Sequence, residues 1–276
     1  MCSNLRLLLL AIATFMSQPA LGVTDARAAS IPPPPTPEGL PVCETPLLPA
    51  AGTPRALGER FEYSVEVIGV SLGLVHIETT RKGVFEGQSV TEFRGWIDPD
   101  PAVSALVSLD GRAFALVPDA GFTPLRATVR YHFRGDSVAE DQMHSTDGQK
   151  VRSSFEKNGE KTTADRDFPS PVHDFLSGFL MLRRLPRDAR GCAVILGNDK
   201  AYTVWIEPQG IEALDTGHGM ASFDRYLLKY GSDKTHAVRD IMVWISTGSE
   251  RIPYQAKGLT SYSPVVKLAG YRKGRS

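Results

Sequence analysis

"RFEYSVEVIGVSLGLVHIETT" occupies residues 60–80. Phe61, Tyr63, Val65 and Val67 alternate with Glu62, Ser64 and Glu66. A repeat of two places successive side chains on opposite faces of an extended chain, so these residues predict a strand buried on one face. "IGVSLG" then supplies turn residues, with Gly69 and Gly73, and "LVHIETT" predicts the return strand. The folded region therefore opens with a hairpin.

The same period continues outward. "QSVTEFRGWID" reads as a strand, and "RAFALVPD" as another placed after an Asp110-Gly111 turn signal. In "ATVRYHFRG", Ala127, Val129, Tyr131 and Phe133 fall on one face and Thr128, Arg130, His132 and Arg134 on the other. "VRSSFEKNGEKTTADRD" carries Asn158-Gly159 between two polar arms, the pair favoured in a type I′ hairpin because both central residues need φ > 0. Its polarity predicts an edge hairpin wetted on both faces. "AYTVWIEP", "ASFDRYLLKYG", "RDIMVWIST", "RIPYQAKG" and "SPVVKLAGY" are again strand-like.

One segment breaks the pattern. In "SPVHDFLSGFLMLRRLP", Val172, Phe175, Leu176, Phe179, Leu180 and Leu182 recur at helical spacing. Ser170 suits an N-cap, Pro171 the first helical position, and Pro186 ends the run. A helix is expected over about 171–185, with Arg183 and Arg184 at the negative end of its dipole. Small residues at Ser177 and Gly178 allow a close approach to a neighbouring strand. The resulting fold class is mainly β: a curved antiparallel sheet, or an open or closed β-barrel, of about ten strands with one covering helix. A sheet of that length must curl or pack on itself to hide its edges.

The N-terminus predicts export. Arg6 precedes the apolar run Leu7 to Met16, which has the length of a secretory h-region and is too short to span a bilayer. Small residues allow cleavage after Gly22 or after Ala28, the first being favoured because it follows Pro19 directly. Residues 23–56 are crowded with proline, including Pro32 to Pro35, and predict an extended linker. Residues 57–276 form the expected single β-rich domain. Cys2 precedes the apolar run, leaving Cys43 and Cys192 in the mature chain. An even count in an oxidising compartment points to one disulfide; a free Cys43 with a buried Cys192 is the alternative.

The 31 basic and 31 acidic residues balance, so no basic excess argues for nucleic acid. No later apolar run is long enough for a membrane span. The six histidines show no metal-ligand spacing, no glycine-rich phosphate loop occurs, and no GxSxG elbow is present. No cofactor, metal site or catalytic set is therefore assigned. His173 and Asp174 adjoin in sequence, but neighbouring helical residues point about 100° apart and do not form an acid–base pair. Trp244, Ser246, Arg251 and Tyr254 form a second group that could line a polar-rimmed apolar pocket.

Three stretches together resemble the exported bacterial domain-of-unknown-function 3108 family. Gly58, Glu59, Tyr63, Gly69 and Gly73 match its opening hairpin. Asp174, Ser177, Leu182 and Arg183 match its central helix, and Trp244, Ser246, Arg251 and Pro253 its closing hairpin. The resemblance runs from Gly58 to about Leu268. It departs in the turn "TGSE", where Glu250 is the only acid. It implies a curved antiparallel sheet with a covering helix, loosely like periplasmic lipoprotein carriers, and carries no assigned activity.

These readings converge on an exported protein, periplasmic or secreted, acting as a non-enzymatic carrier for a lipid or other apolar envelope ligand. The expected ligand-binding residues are Phe175, Phe179, Leu182, Trp244, Arg251 and Tyr254. The alternatives are a structural or assembly role with an envelope protein partner, and an enzyme whose dispersed site uses His132, Asp174 and Arg251.

Overall fold

The computed structural model describes residues 39–47, 56–105, 108–259 and 264–275, without the side chains of 235–237. The expected export segment and most of the expected proline-rich linker lie outside the described residues. The first arm of the fold contains β1 (Arg60–Val67), β2 (Val70–Phe85), β3 (Gln88–Pro99), β4 (Leu109–Pro118), β5 (Arg126–Phe133), β6 (Asp136–His144), β7 (Lys150–Lys157) and β8 (Glu160–Asp167). A one-turn helix, α1 (Pro101–Ser104), follows β3. The second arm contains β9 (Val172–His173), α2 (Phe175–Leu182), β10 (Gly191–Gly197), β11 (Lys200–Asp215), β12 (Met220–Ser232), β13 (Thr235–Ser246), β14 (Pro253–Gly258) and β15 (Val265–Arg272).

All fifteen strands belong to one sheet, ordered β8-β7-β6-β5-β4-β3-β2-β1-β15-β14-β13-β12-β11-β10-β9. Each arm is a meander, and the arms join where the first strand pairs antiparallel with the last, from Arg60↔Arg272 to Glu66↔Val265. In β1 the predicted alternation holds: Phe61, Tyr63, Val65 and Val67 are all buried. The β1–β2 turn places both Ile68 and Gly69 at positive φ (49° and 72°). Gly73 is required more strictly, because a Cβ there would lie 2.3 Å from the Asp98 carbonyl oxygen.

Several expectations need correction. Among the described residues fifteen strands replace about ten, and their sheet does not close, since β8 and β9 end it without pairing to each other. It is antiparallel except for β9, which runs parallel to β10. Asp110-Gly111 is not a turn but part of β4, opposite His132 and Tyr131. Gly111 is there for packing: a Cβ would meet Ile97 Cδ1 at 2.9 Å and Tyr131 Cβ at 3.5 Å. Asn158-Gly159 does form the predicted hairpin turn, with φ of 54° and 87°. β8 is the outer edge, but β7 is not wet on both faces, because Val151 and Ser153 are buried.

The helix also starts later than expected. Pro171 leads into β9, and the N-cap is Asp174 rather than Ser170. The Asp174 carboxylate accepts from the backbone N–H groups of Leu176 and Ser177, each at 3.0 Å. In return the Asp174 N–H donates to Ser177 Oγ. This reciprocal box satisfies donors that a helix start otherwise leaves open. The helix ends at Leu182, and Arg183 is its C-cap.

α2 lies between the two arms. Leu176 and Leu180 pack with Phe93, Val117 and Ala127 of the first arm. Met181, and Leu185 beyond the helix, pack with Ile206, Tyr226, Val243 and Ile245 of the second. Gly178 permits close contact with β10, where a Cβ would meet Ile195 Cδ1 at 2.9 Å. Full burial of each such aliphatic chain contributes about 1.5–3 kcal/mol, so this contact with both arms outweighs the weak intrinsic stability of an eight-residue helix.

Candidate functional site

The three apolar residues of α2 that are only half-buried are Phe175, Phe179 and Leu182. They stand at i, i+4 and i+7, one stripe of the helix. This stripe closes onto the sheet only in part, through contacts of Phe179 and Leu182 with its apolar clusters. Between them lies a cavity of about 310 Å³, lined by Phe175, Phe179 and Leu182 on the helix side. The sheet side supplies Val75, Ile77, Ile97 and Ala113 from the first arm and Val243, Ala256 and Val266 from the second. Gly95 and Gly111 also line it, where Leu176 and Ile97 pack close against their backbones. Its volume is at the lower end of the range typical of small-molecule sites.

One wall is aromatic and rigidly fixed. Phe179 meets Phe61 and Tyr63 edge-on, with centroids 5.4 and 6.0 Å apart. The Tyr63 hydroxyl donates to the Pro253 carbonyl oxygen at 3.0 Å. Burial raises the Tyr63 pKa, so the phenol stays protonated. Behind this wall, Arg183 makes a bidentate pair with Glu59, both contacts at 2.8 Å, and also donates to the Glu250 carbonyl oxygen. Tyr271 donates to the same Glu59 carboxylate, and the Arg183 guanidinium lies 4.7 Å from the Phe61 ring centroid. Both ions are buried. Arg183 thus ties the end of the helix to the β1/β15 junction, rather than merely facing the helix dipole.

At the opposite end of the cavity, β6 meets the turn between β10 and β11. The buried Glu140 carboxylate accepts from the backbone N–H groups of Asn198 and Asp199 and from Gln142 Nε2. Gln142 also donates to the Leu196 carbonyl oxygen. Burial pushes the Glu140 pKa up, opposed by these donors. Next in the row, His144 contacts the Gln142 side chain through Nε2. Its pKa falls to about 3, first through burial and then through repulsion by His173. Burial lowers His173 to about 4, opposed by its contact with the Phe122 carbonyl oxygen. Burial raises the capping Asp174, opposed by the Ser177 and Leu176 donors.

The family model described as protein of unknown function (DUF3108) matches residues 62–266. The chain belongs to the DUF3108 family. Among solved structures, it is similar to a β-barrel-like protein of domain of unknown function DUF1849 from Brucella abortus. The identity is 12%, the TM-score is 0.53, and the match covers 81% of this chain and 100% of that one. At that identity the likeness establishes the fold alone. A weaker likeness links it to a protein from Bacteroides fragilis, provisionally described as exported with a YmcC-like fold. There the identity is 7%, the TM-score 0.33, and the coverage 81% of this chain and 100% of that one. Comparison with curated proteins finds no match.

In this DUF3108 protein the matched motif residues converge. Glu59 of the opening hairpin and Arg183 of the helix form a buried ion pair, Arg183 also bonds the Glu250 carbonyl in the turn where the resemblance departs, and Tyr63 bonds Pro253. The six expected ligand residues separate into two groups. Phe175, Phe179 and Leu182 line the cavity, whereas Trp244, Arg251 and Tyr254 do not. Val243 faces inward, so its neighbour Trp244 faces outward, where it packs with Phe223 and Tyr254 and donates to Glu212. Arg251 is paired with Asp224 and donates to the Tyr226 hydroxyl and the Leu185 carbonyl oxygen. His132 lies exposed on β5, Asp174 is buried at the cap, and Arg251 is fixed in its ion pair, so the three are not assembled. Among the described residues, no group of three or more His, Cys, Asp or Glu side chains could hold a metal. No described helix is long and apolar enough to cross a membrane.

Cys43 and Cys192 form a disulfide, 149 residues apart in sequence. Around it the 39–47 segment straps the start of β10. Leu47 N–H donates to the Cys192 carbonyl, Cys192 N–H donates to Thr45, and Thr203 Oγ1 bonds Pro41. Sequence reasoning missed the sheet-side lining of the cavity and, at its polar end, Asn198. The signal was present as "GND", a short Gly-Asn-Asp turn between two apolar runs.

Proposed function

We propose that this DUF3108 protein is an exported envelope carrier that holds a lipid or other apolar component between α2 and the concave sheet. The cavity carries the reading. A core helix ordinarily buries its whole apolar face at close-packed density, yet the Phe175, Phe179 and Leu182 stripe faces about 310 Å³ of open space. Those three residues are assigned to ligand contact. Trp244, Arg251 and Tyr254 are assigned to the scaffold. The apolar run Leu7 to Met16 and the Cys43–Cys192 disulfide support export, because such bonds persist in oxidising compartments. The carrier works by exclusion of water and requires no chemical step.

Native mass spectrometry of the mature protein is expected to show a bound apolar molecule, and envelope lipid extract is expected to raise its melting temperature. Ala113→Leu puts extra side-chain volume into the cavity and should abolish both effects while keeping the β-sheet spectrum. A wild-type protein that carries nothing, and whose melting is indifferent to lipid extract, would overturn the reading.

A further inference from the structure

The cavity is not apolar throughout. Asn198 lines it, is only 6% exposed, and has a buried carboxamide oxygen that meets no donor among the described residues. Its turn accounts for the residue type: Asn198 and Asp199 both have positive φ (57° and 56°), which asparagine tolerates. The turn does not account for burying that carboxamide oxygen unpaired, which costs about 1–3 kcal/mol. Phe175 presses on the adjacent Gly197, where a Cβ would lie 2.3 Å from its ring, so the helix helps confine this end of the cavity.

Resting on the carrier reading above, we infer that the ligand is an amphiphile whose uncharged polar end, a hydroxyl or carboxamide, hydrogen-bonds Asn198. Its apolar chain then lies along Phe179, Ile77 and Val243. The surroundings decide the charge. Two carboxyl groups, Glu140 and Asp174, flank Asn198, the first bonded to its backbone N–H and the second lining the same cavity. They disfavour an anionic end at Asn198, and the two cations that also line the cavity, Arg112 of β4 and Arg130 of β5, are exposed to solvent. Their oxygens already accept from Gln142, Asn198, Asp199, Leu176 and Ser177, so they leave little for an ammonium group. A buried ion without a partner is strongly disfavoured, whereas a hydroxyl needs only the bonds that a carboxamide offers.

The test displaces the apolar dye 1-N-phenylnaphthylamine from the full mature protein with decan-1-ol, decanoate or decylammonium at about pH 8, where the last two are charged. Decanol should displace it at concentrations at least about tenfold below decanoate. Asn198→Gly keeps the backbone conformation, and should weaken decanol about fivefold without changing dye affinity. Asn198→Asp introduces an uncapped carboxylate and should shift the preference toward decylammonium. Equal displacement by decanol and decanoate, or an unchanged decanol affinity in Asn198→Gly, overturns the inference while leaving the carrier reading intact. A wild-type protein that binds no dye overturns both.

Discussion

The two arms of the sheet meet twice, by different means. At the near seam, β1 and β15 are joined by backbone hydrogen bonds along the strands, with the Glu59–Arg183 pair above them. At the far seam, β6 faces the β10–β11 turn with no strand ladder between them. There Glu140 and Gln142 reach across to backbone groups of Asn198, Asp199 and Leu196. Arg166 pairs with Asp199, and Val151 packs with Val194 and Leu196. The disulfide strap lies beside this seam. A barrel-like enclosure therefore does not require a closed ladder. Side chains can draw the edges together, at the expense of burying polar groups, some of which, such as Asn198 Oδ1 and His144 Nδ1, find no partner among the described residues.

The largest expected effect is covalent. Cys43→Ser with Cys192→Ser opens a loop of 149 residues and should cost about 5 kcal/mol in the chain-entropy model, read as a fall in urea midpoint. If the far seam held as firmly as the near one without its strap, the midpoint would barely move. Next comes the near seam. Arg183→Met leaves Glu59 buried without its ion partner and should cost about 3–5 kcal/mol. Adding Glu59→Leu should recover much of that loss, which a double-mutant cycle measures.

The far seam should also be the pH-sensitive one. His144 and His173 have folded pKa values of about 3 and about 4, below the usual histidine range. The unfolded chain therefore binds the extra protons. Stability from these groups is complete above about pH 6.5 and is lost as pH falls toward the folded values, by about 2 kcal/mol per histidine between pH 7 and 5. Glu140 and Asp174, raised by burial, act in the opposite direction, so the informative quantity is a difference. His144→Gln should flatten the fall in urea midpoint over that range relative to wild type; an unchanged slope would mean that His144 is not buried neutral. The smallest effect is expected on the outer face. Trp244→Phe should leave dye affinity within about twofold, because Trp244 packs away from the cavity. A larger loss would return Trp244 to the ligand site.

The same contrast governs what the sequence revealed. β1 was plain because Phe61, Tyr63, Val65 and Val67 face a core while acidic and hydroxyl side chains face out. The missing strands, β6, β9 and β10, all belong to the far seam. β6 turns Glu140, Gln142 and His144 inward, which erases apolar alternation. β10 is buried along nearly its whole length, so "GCAVILG" shows no period at all, and β9 is only two residues long. The helix start was misplaced because Ser170-Pro171 and Asp174-Ser177 both carry capping signals. Only the packing of α2 on both arms selects the second. Phe175, Phe179 and Leu182 were legible as a stripe, whereas Trp244 was not separable from Val243 without the register of β13. Asn198 required two strands to be recognised before its turn could be placed.

The β1/β15 junction has a consequence for how the chain comes to exist. Its paired residues stand about 200 apart in sequence, as in the pair Glu66↔Val265, and the bond from Arg272 to Gly58 spans 214. Loops of that span close slowly, so the first and last strands find each other late. A chain threaded outward from its N-terminus would deliver β1 early and β15 nearly last. Until then each meander has its central edge bare and α2 has only part of its seat. The topology thus delays cooperative folding until almost the whole polypeptide is available.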